Sequence, residues 1–338
     1  MKEVLSFDDV LIVPNFSNIA SRKEVDTTSF GLKVPIISSN MDTITGHAMA
    51  SEMGRLGAGA CLHRFSTVQE NIDEFKKSPK STMVSIGIGP AELERAIWLF
   101  ESGATYFVID VAHGAATHVV QQYEKIRSIV KDNASIMVGN FATQKNIDDF
   151  NYAANTSRSP DAYKVGIGGG SLCTTRVVTG CGLPTFASIL DCARAHAPII
   201  ADGGIRNSGD IVKALAAGAS AVMVGGLLSG TLETPGEIIR KQDHEFPFEK
   251  WYKKYRGSAS HESYEVQGKV ADHRAPEGEA TLVDYKGKVE SVVQNLMGGL
   301  RSGMSYVGAT TIKELQERVH FVHITDSGKR ESRAHAKE

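Results

Sequence analysis

Four cysteines stand at positions 61, 173, 181 and 192, and no two of them form a C-x-x-C pair. That spacing argues against both a disulfide scaffold and a zinc knuckle. Cys173 lies in the run Val165-Gly166-Ile167-Gly168-Gly169-Gly170-Ser171-Leu172-Cys173-Thr174-Thr175-Arg176, which has four glycines within five positions. A thiol attacks as its thiolate, a form favoured by neighbouring donors and cations, and Ser171, Thr174, Thr175 and Arg176 are of those types. The expectation is a flexible loop that presents Cys173 as a nucleophile. Cys61 and Cys192 read as buried, inert thiols, and Cys181, in a Gly-Cys-Gly turn, is the bland alternative to Cys173. No G-x-G-x-x-G register fits the chain, so a Rossmann dinucleotide fingerprint is absent.

Two further glycine clusters, Asp202-Gly203-Gly204 and Gly225-Gly226, each follow a short apolar run. Glycines let backbone N–H groups approach a phosphate closely, and a helix N-terminus behind them adds a favourable dipole. Each pair alone could be a tight turn; the two together point to a phosphate site.

These clusters must be held by regular elements. Apolar, β-branched runs predict strands at 34–38, 58–62, 83–88, 106–111, 136–139, 162–167, 198–201 and 221–224. Helical windows lie between them, at 91–102, 119–130 and 208–216. Eight β-α repeats favour a closed α/β (β/α)8 TIM barrel over an open doubly wound sheet, and a barrel places its site at the C-terminal strand ends, with phosphate often held after the last two strands. Both glycine pairs occupy such ends. The glycines of Ser102-Gly103-Ala104 and Ala217-Gly218-Ala219 read as helix C-caps. The chain is expected to be one barrel domain over 1–338, with an active-site loop or flap region at 227–290 and a solvated, flexible tail at 326–338.

With 37 Lys plus Arg against 39 Asp plus Glu among 338 residues, the formal charge is −2. No net positive field exists to hold a nucleic-acid backbone. The N-terminus lacks an apolar signal stretch, and no segment reaches the ~18 apolar residues of a membrane helix, so a cytoplasmic protein without membrane partners is expected.

Several motifs occur in order along almost the entire chain: L-S-F-D-D-V-L-I-V-P near the start, N-M-D-T-I-T at 40–45, G-x-G-G-G-S-L-C-T-T-R, A-D-G-G-I-R at 201–206, Y-R-G-S at 255–258 and P-E-G at 276–278. Together they resemble the IMP dehydrogenase and GMP reductase family. The resemblance implies a (β/α)8 barrel, a homotetramer, a purine 5′-monophosphate substrate, a cysteine that attacks C2 of the base, and a nicotinamide cofactor exchanging hydride at that carbon. Within the family the chain is more similar to the reductases, which convert GMP and NADPH to IMP, ammonia and NADP⁺. No inserted CBS pair fits between Cys61-Leu62-His63-Arg64 and Met83, no Arg-Tyr pair occurs between Gly257 and Gly278, His273-Arg274-Ala275-Pro276-Glu277-Gly278 resembles the reductases' Arg-x-x-Glu-Gly, and Asn40 is also reductase-like. Val111-Ala112-His113-Gly114 and Pro276 lean toward the dehydrogenases, and Gly257-Ser258-Ala259 departs from the reductases' Gly-Met-Ser. The alternatives are a dehydrogenase without CBS domains, oxidising IMP with NAD⁺, and a non-catalytic purine nucleotide sensor.

Carried over residue by residue, the resemblance implies Cys173 as nucleophile, with Thr175 and Glu277 as proton relay. It implies substrate contacts at Ser171, Asp202, Gly203, Gly204, Gly225, Gly226, Gly257, Ser258, Ala259, Arg274 and Gly278. The nicotinamide cofactor would meet Arg64, Asp110, Val111, Ala112, Ile167, Gly168 and His273. Its adenosine end would be reached across a subunit boundary by Ser21, Arg22, Ser302, Gly303, Met304 and Ser305, with Arg22 facing a 2′-phosphate. Gly168, Gly170, Cys173 and Arg176 resemble a monovalent-cation site suited to K⁺.

Overall fold

The computed structural model describes residues 3–154, 158–242, 249–266 and 275–332. A short strand β1 (Val10–Ile12) precedes eight strands, β2 (Ile36–Ser38), β3 (Gly59–Leu62), β4 (Met83–Ile86), β5 (Tyr106–Asp110), β6 (Ser135–Phe141), β7 (Ala162–Val165), β8 (Ile199–Asp202) and β9 (Ala221–Val224), which close a parallel barrel in sequence order. The expected (β/α)8 TIM barrel is therefore present, with every expected strand within three residues of its observed ends. Strand β6 runs two residues past the expected Gly139, because Phe141 still pairs with Val165 across a register shift.

Helices α1 (His47–Arg55), α2 (Val68–Lys77), α3 (Pro90–Glu101), α4 (Thr117–Val130) and α5 (Gln144–Ala153) return the chain between strands. Their starts are local: the Thr67 hydroxyl accepts from the Glu70 N–H while Glu70 reaches back, a capping box, and α3 opens with Pro90 at its first position. After β7 come α6 (Thr175–Thr179) and α7 (Thr185–Cys192), and after β8 comes α8 (Ser208–Ala216), capped by Asn207.

Within 227–290, where the sequence shows little periodicity, β10 (Ile239–Gln242), β11 (Glu249–Arg256) and β12 (Ala280–Asp284) form an antiparallel sheet with the short helix α9 (His261–Val266) between the last two. Most of these strand positions are exposed or half-buried, so they lack the continuous apolar runs that mark the barrel strands. The long helix α10 (Val289–Val307) packs on α8 and α1, followed by α11 (Ile312–Arg318). Strand β13 (Phe321–His323) pairs with β1, and an exposed helix α12 (Asp326–Glu331) ends the described chain.

The alternation of side chains along each strand builds two cores. Outward-facing residues such as Ile36, Phe107, Ile109 and Tyr163 join the helices, while Ile37, Cys61, Val108, Met137, Ala162, Ile200 and Met223 fill the lumen. Two residues beyond Val108, Ala162 and Ile200 come Asp110, Lys164 and Asp202, so the lumen changes from apolar to charged at the C-terminal strand ends. Outside the barrel, the Phe150 ring on α5 meets Tyr123 of α4 at 5.7 Å and Phe141 of β6 at 5.6 Å between centroids. Because Phe150 is 1% exposed, Phe150→Ala leaves a cavity that three elements cannot all collapse into. It should cost about 3–5 kcal/mol in urea unfolding; a loss below about 1 kcal/mol would mean that the cluster carries little of the α4–α5 packing.

Candidate active site

Strand β7 delivers the cysteine loop. Gly166 has φ +140, and a Cβ there would fall onto the carbonyl oxygen of Asp202, so only glycine lets the chain leave the strand beside β8. The loop is then clasped from outside by Glu277, Gly278 and Glu279. Thr174 N–H donates to the Glu277 carbonyl at 2.9 Å and Glu279 N–H to the Leu172 carbonyl at 3.0 Å. On the other edge, Glu277 N–H donates to Ala259 O at 3.0 Å and Gly257 N–H to Glu279 O at 2.8 Å. This backbone sandwich aligns three side chains: Cys173 Sγ–H donates to Thr175 Oγ1 at 3.1 Å, and Thr175 Oγ1–H donates to Glu277 Oε2 at 2.7 Å. The result is an unbroken thiol–hydroxyl–carboxylate relay. Cys173 is half-buried, whereas Cys61 and Cys192 are buried and Cys181 is exposed. Burial pushes the Cys61 thiol up, and pushes that of Cys192 up to about 12, as inert thiols require.

The glycine clusters converge on the same loop. A Cβ on Gly203, at φ +85, would sit 3.0 Å from the Gly170 nitrogen, and Gly204 is also left-handed at φ +76. A Cβ on Gly226 would sit 3.0 Å from Ser171 Oγ, and one on Gly225 would sit 2.9 Å from both Ser39 Oγ and Met41 Sδ. Tyr255, given no role by sequence reasoning although it begins the Y-R-G-S motif, shares a hydrogen bond between its hydroxyl and Ser171 Oγ at 3.0 Å. Burial pushes its phenol above the ordinary range. Sequence reasoning also misses Ser39, whose Oγ is buried with no hydrogen-bond partner among the described residues.

Asp110 and Asp202 are joined by a residue that sequence reasoning passes over, Lys164. Its ammonium lies 2.6 Å from Asp110 Oδ1 and 2.6 Å from Asp202 Oδ2, and it donates to Asn140 Oδ1 as well. Burial disfavours that charge, but the two carboxylates outweigh it and hold the ammonium above the ordinary lysine range. Burial likewise opposes ionisation of Asp110, yet Lys164, with help from Arg64 and the Asn40 amide, holds its carboxyl below the usual range. In the sequence an interior lysine in a strand reads as an exception to the apolar run. Its two-residue offset from Ala162 is the available signal.

On the side expected to face a cofactor, Val111 and Ala112 follow β5, and Val111 N–H donates to Gly139 O at 3.0 Å. The Arg64 guanidinium lies over the Phe65 ring at 5.0 Å and against Gly87, where a Cβ would come within 2.9 Å of its Cζ. Its Nε is buried without a hydrogen-bond partner among the described residues. Ser21 caps a short 3-10 helix, Arg22–Glu24, that packs on α10, which carries Ser302 to Ser305; there Met304 is fully buried and Gly303 packs on Val212. Ile167 O accepts from Leu183 N–H at 3.3 Å, and Gly168 lies against Arg176, whose Nη2 donates to Leu183 O at 2.6 Å. Of the residues named for a cation, Gly170 accepts at its carbonyl from Cys173 N–H and Arg176 from Gly180 N–H. Ser258 is half-buried, Ala259 lies against Gly278, and His273 and Arg274 lie outside the described residues.

A closed parallel barrel that gathers a hydrogen-bonded cysteine, threonine and glutamate and two glycine-lined loops at its C-terminal rim defines the class, a (β/α)8 barrel with its site at the strand ends. Residues 4–335 match the IMP dehydrogenase / GMP reductase domain, and the chain belongs to that family. It is 38% identical to an inosine-5′-monophosphate dehydrogenase of Cryptosporidium parvum, covering 98% of this chain and 94% of that one. It is 35% identical to a GMP reductase of Vibrio vulnificus, over 95% of each. A crystal structure of a cysteine-to-alanine variant of GMP reductase from Trypanosoma brucei, in complex with guanosine 5′-monophosphate, superposes with TM-score 0.90 at 27% identity, covering 100% of this chain and 99% of that one. No helix among the described residues is long and apolar enough to cross a membrane.

The glycines divide by backbone geometry. Gly203→Ala forces an L-residue into the left-handed region against the Gly170 backbone and should cost about 1–3 kcal/mol in chemical denaturation. Gly226→Ala has no such strain and meets only movable hydroxyls, so it should cost less than about 0.5 kcal/mol. Equal losses would undo the distinction.

Proposed function

We propose that the chain is a GMP reductase: GMP, NADPH and a proton give IMP, ammonia and NADP⁺. The observation that carries this reading is the Cys173–Thr175–Glu277 relay, closed by bonds of 3.1 and 2.7 Å. Cys173 adds to C2 of the purine, and its proton leaves along Thr175 toward Glu277. The same relay returns a proton to the 2-amino group, which departs as ammonia and leaves a thioimidate on Cys173. A hydroxyl alone is a poor acid, so Thr175 needs the carboxylate behind it. The covalent adduct divides one difficult substitution into two easier steps.

Ser171, Tyr255 and the glycines at 203, 204, 225 and 226 surround the phosphate in this reading. Ribose hydroxyls fall to Asp202, since a carboxylate accepts two donors, and the base is assigned to Gly257, Ser258, Ala259 and Gly278, with Arg274 of the same motif. The orphaned Nε of Arg64 fits a polar cofactor at this rim, and a nicotinamide cofactor would be held by Arg64, Asp110, Val111, Ala112, Ile167, Gly168 and His273. Ser21, Arg22, Ser302 and Ser305 would serve its adenosine end in a cytoplasmic homotetramer. When bound, that cofactor supplies hydride to C2. A K⁺ ion, if bound, would be held at Gly168, Gly170, Cys173 and Arg176, where backbone carbonyl oxygens are the hard donors such a cation takes.

The second reading, oxidation of IMP with NAD⁺, is favoured by the higher identity to the Cryptosporidium dehydrogenase. Against it, no Arg-Tyr pair stands between Gly257 and Gly278 to activate water. Absorbance at the reduced-nicotinamide band separates the two: GMP plus NADPH should lose absorbance with release of ammonia, while IMP plus NAD⁺ should give no steady rate. Sustained formation of xanthosine monophosphate would overturn the reductase assignment.

Cys173→Ala should lower kcat by several powers of ten while calorimetry still detects GMP binding, and Cys181→Ala should change little; near-normal turnover by the first would refute covalent catalysis. Glu277→Gln keeps size but removes the ionisable group, so ammonia release should slow by roughly 10²–10⁴-fold. The reverse step, a single-turnover burst of NADPH from IMP and NADP⁺, should suffer much less, and equal loss of both would point to a positioning role.

A further inference from the structure

Lys164 is 2% exposed at the charged end of the lumen, and an ammonium has three N–H donors. All three are taken, by Asp110 Oδ1, Asp202 Oδ2 and Asn140 Oδ1. A lysine so saturated has no donor left for a ligand and no room to move a proton to one. Its effect must pass through its partners, and these differ in what they have left to offer.

Asp110 engages a protein donor with each oxygen, Oδ1 with Lys164 and Oδ2 with the Asn40 amide at 2.8 Å. Asp202 does not. Both of its protein donors, Lys164 at 2.6 Å and Asn140 Nδ2 at 2.9 Å, fall on Oδ2. Its Oδ1 keeps its acceptor capacity, and the side chain is 22% exposed at the rim. Asn140 adds the tie to the cysteine loop, since its Nδ2 also donates to Gly166 O at 2.6 Å.

We infer that Lys164 is a positioning residue for substrate recognition: it pins Asp202 through Oδ2 so that Oδ1 is presented to the ribose hydroxyls, and it ties that carboxylate to Asp110 and, through Asn140, to the base of the cysteine loop. The inference rests on the purine 5′-monophosphate reading given above. One cation between two carboxylates leaves a net charge of −1, and Asp110 serves as the fixed counterweight that keeps Lys164 centred. Without Lys164 the two carboxylates face each other in a poorly solvated lumen, and Asp202 loses the bond that sets its orientation.

The test compares GMP with 2′,3′-dideoxy-GMP by calorimetric titration, because a loss of ribose recognition changes the ratio of the two affinities whereas general loosening lowers both together. Wild type should prefer GMP. In Lys164→Met that preference should shrink roughly tenfold, the scale of one hydrogen bond to a charged group, with phosphate-dependent binding of the dideoxy compound largely kept. Lys164→Met/Asp110→Asn removes a cation and an anion together, so it serves where the single variant does not fold; its preference should be reduced in the same way. Wild-type preference retained in either folded variant would overturn the positioning role while leaving the nucleotide reading intact. Failure of the wild type to bind either GMP or IMP would overturn the nucleotide reading, and this inference with it.

Discussion

Glu277 reaches Thr175 across 102 residues of sequence, and the segment that carries it has little core of its own. What fixes it is backbone pairing: the stretch 277–279 lies between the cysteine loop and the turn at 257–259, with hydrogen bonds to both. A side-chain contact of 2.7 Å could not be held by a lone loop against its conformational entropy. The antiparallel sheet made by β10, β11 and β12 matters for this reason. Strands β11 and β12 flank the turn and the segment, so their ladder sets the register in which Glu277 arrives opposite Thr175. The relay is thus a product of long-range pairing laid over a barrel that is built from local β-α units.

The barrel contributes something different, a change of chemistry along a single direction. Each short strand gives the lumen alternate residues, and one more step of two residues turns an apolar layer into a layer of Asp110, Lys164 and Asp202. Charge at that depth is tolerable only when paired, and within this trio Asp202 alone has a carboxylate oxygen, Oδ1, that no donor among the described residues meets. Two layers therefore serve separate ends: the lower one stabilises the closed barrel, and the upper one spends part of that stability to hold an acceptor ready at the rim.

Legibility in the sequence follows the same division. The eight strands can be read because parallel strands buried on both faces appear as continuous apolar runs, and the glycine clusters can be read because sterics at positions such as Gly166 and Gly203 admit nothing else. Cys173, Thr175 and Glu277 are named by motifs, but only the fold shows that they touch. Tyr255 and Ser39 escape because a hydroxyl in a strand or at a strand end has many bland explanations, and its value depends on which glycine faces it. Lys164 escapes for a sharper reason. Burial of a lysine is contrary to its type, and its two carboxylate partners come from strands 54 residues before it and 38 residues after it, so nothing local announces them. The sheet at 239–284 is hidden because exposed strands of mixed polarity carry no strong period.

The order of atoms in the relay also bears on the proposed exchange at C2, where ammonia and water are the two candidates. Water attacking a thioimidate must lose a proton, and a base poised over open solvent suits it. Ammonia leaving an adduct must gain one, and the donor has to stand within reach of the nitrogen itself. In the proposed reaction Thr175 meets that requirement: it is bonded to Cys173 on one side and backed by Glu277 on the other, so the proton released when the thiol adds is stored close to where it is next needed. The relay then conserves its proton between addition and departure. A carboxylate held by backbone bonds to both the cysteine loop and the turn at 257–259 serves that purpose, because it stays beside Thr175 between the two steps.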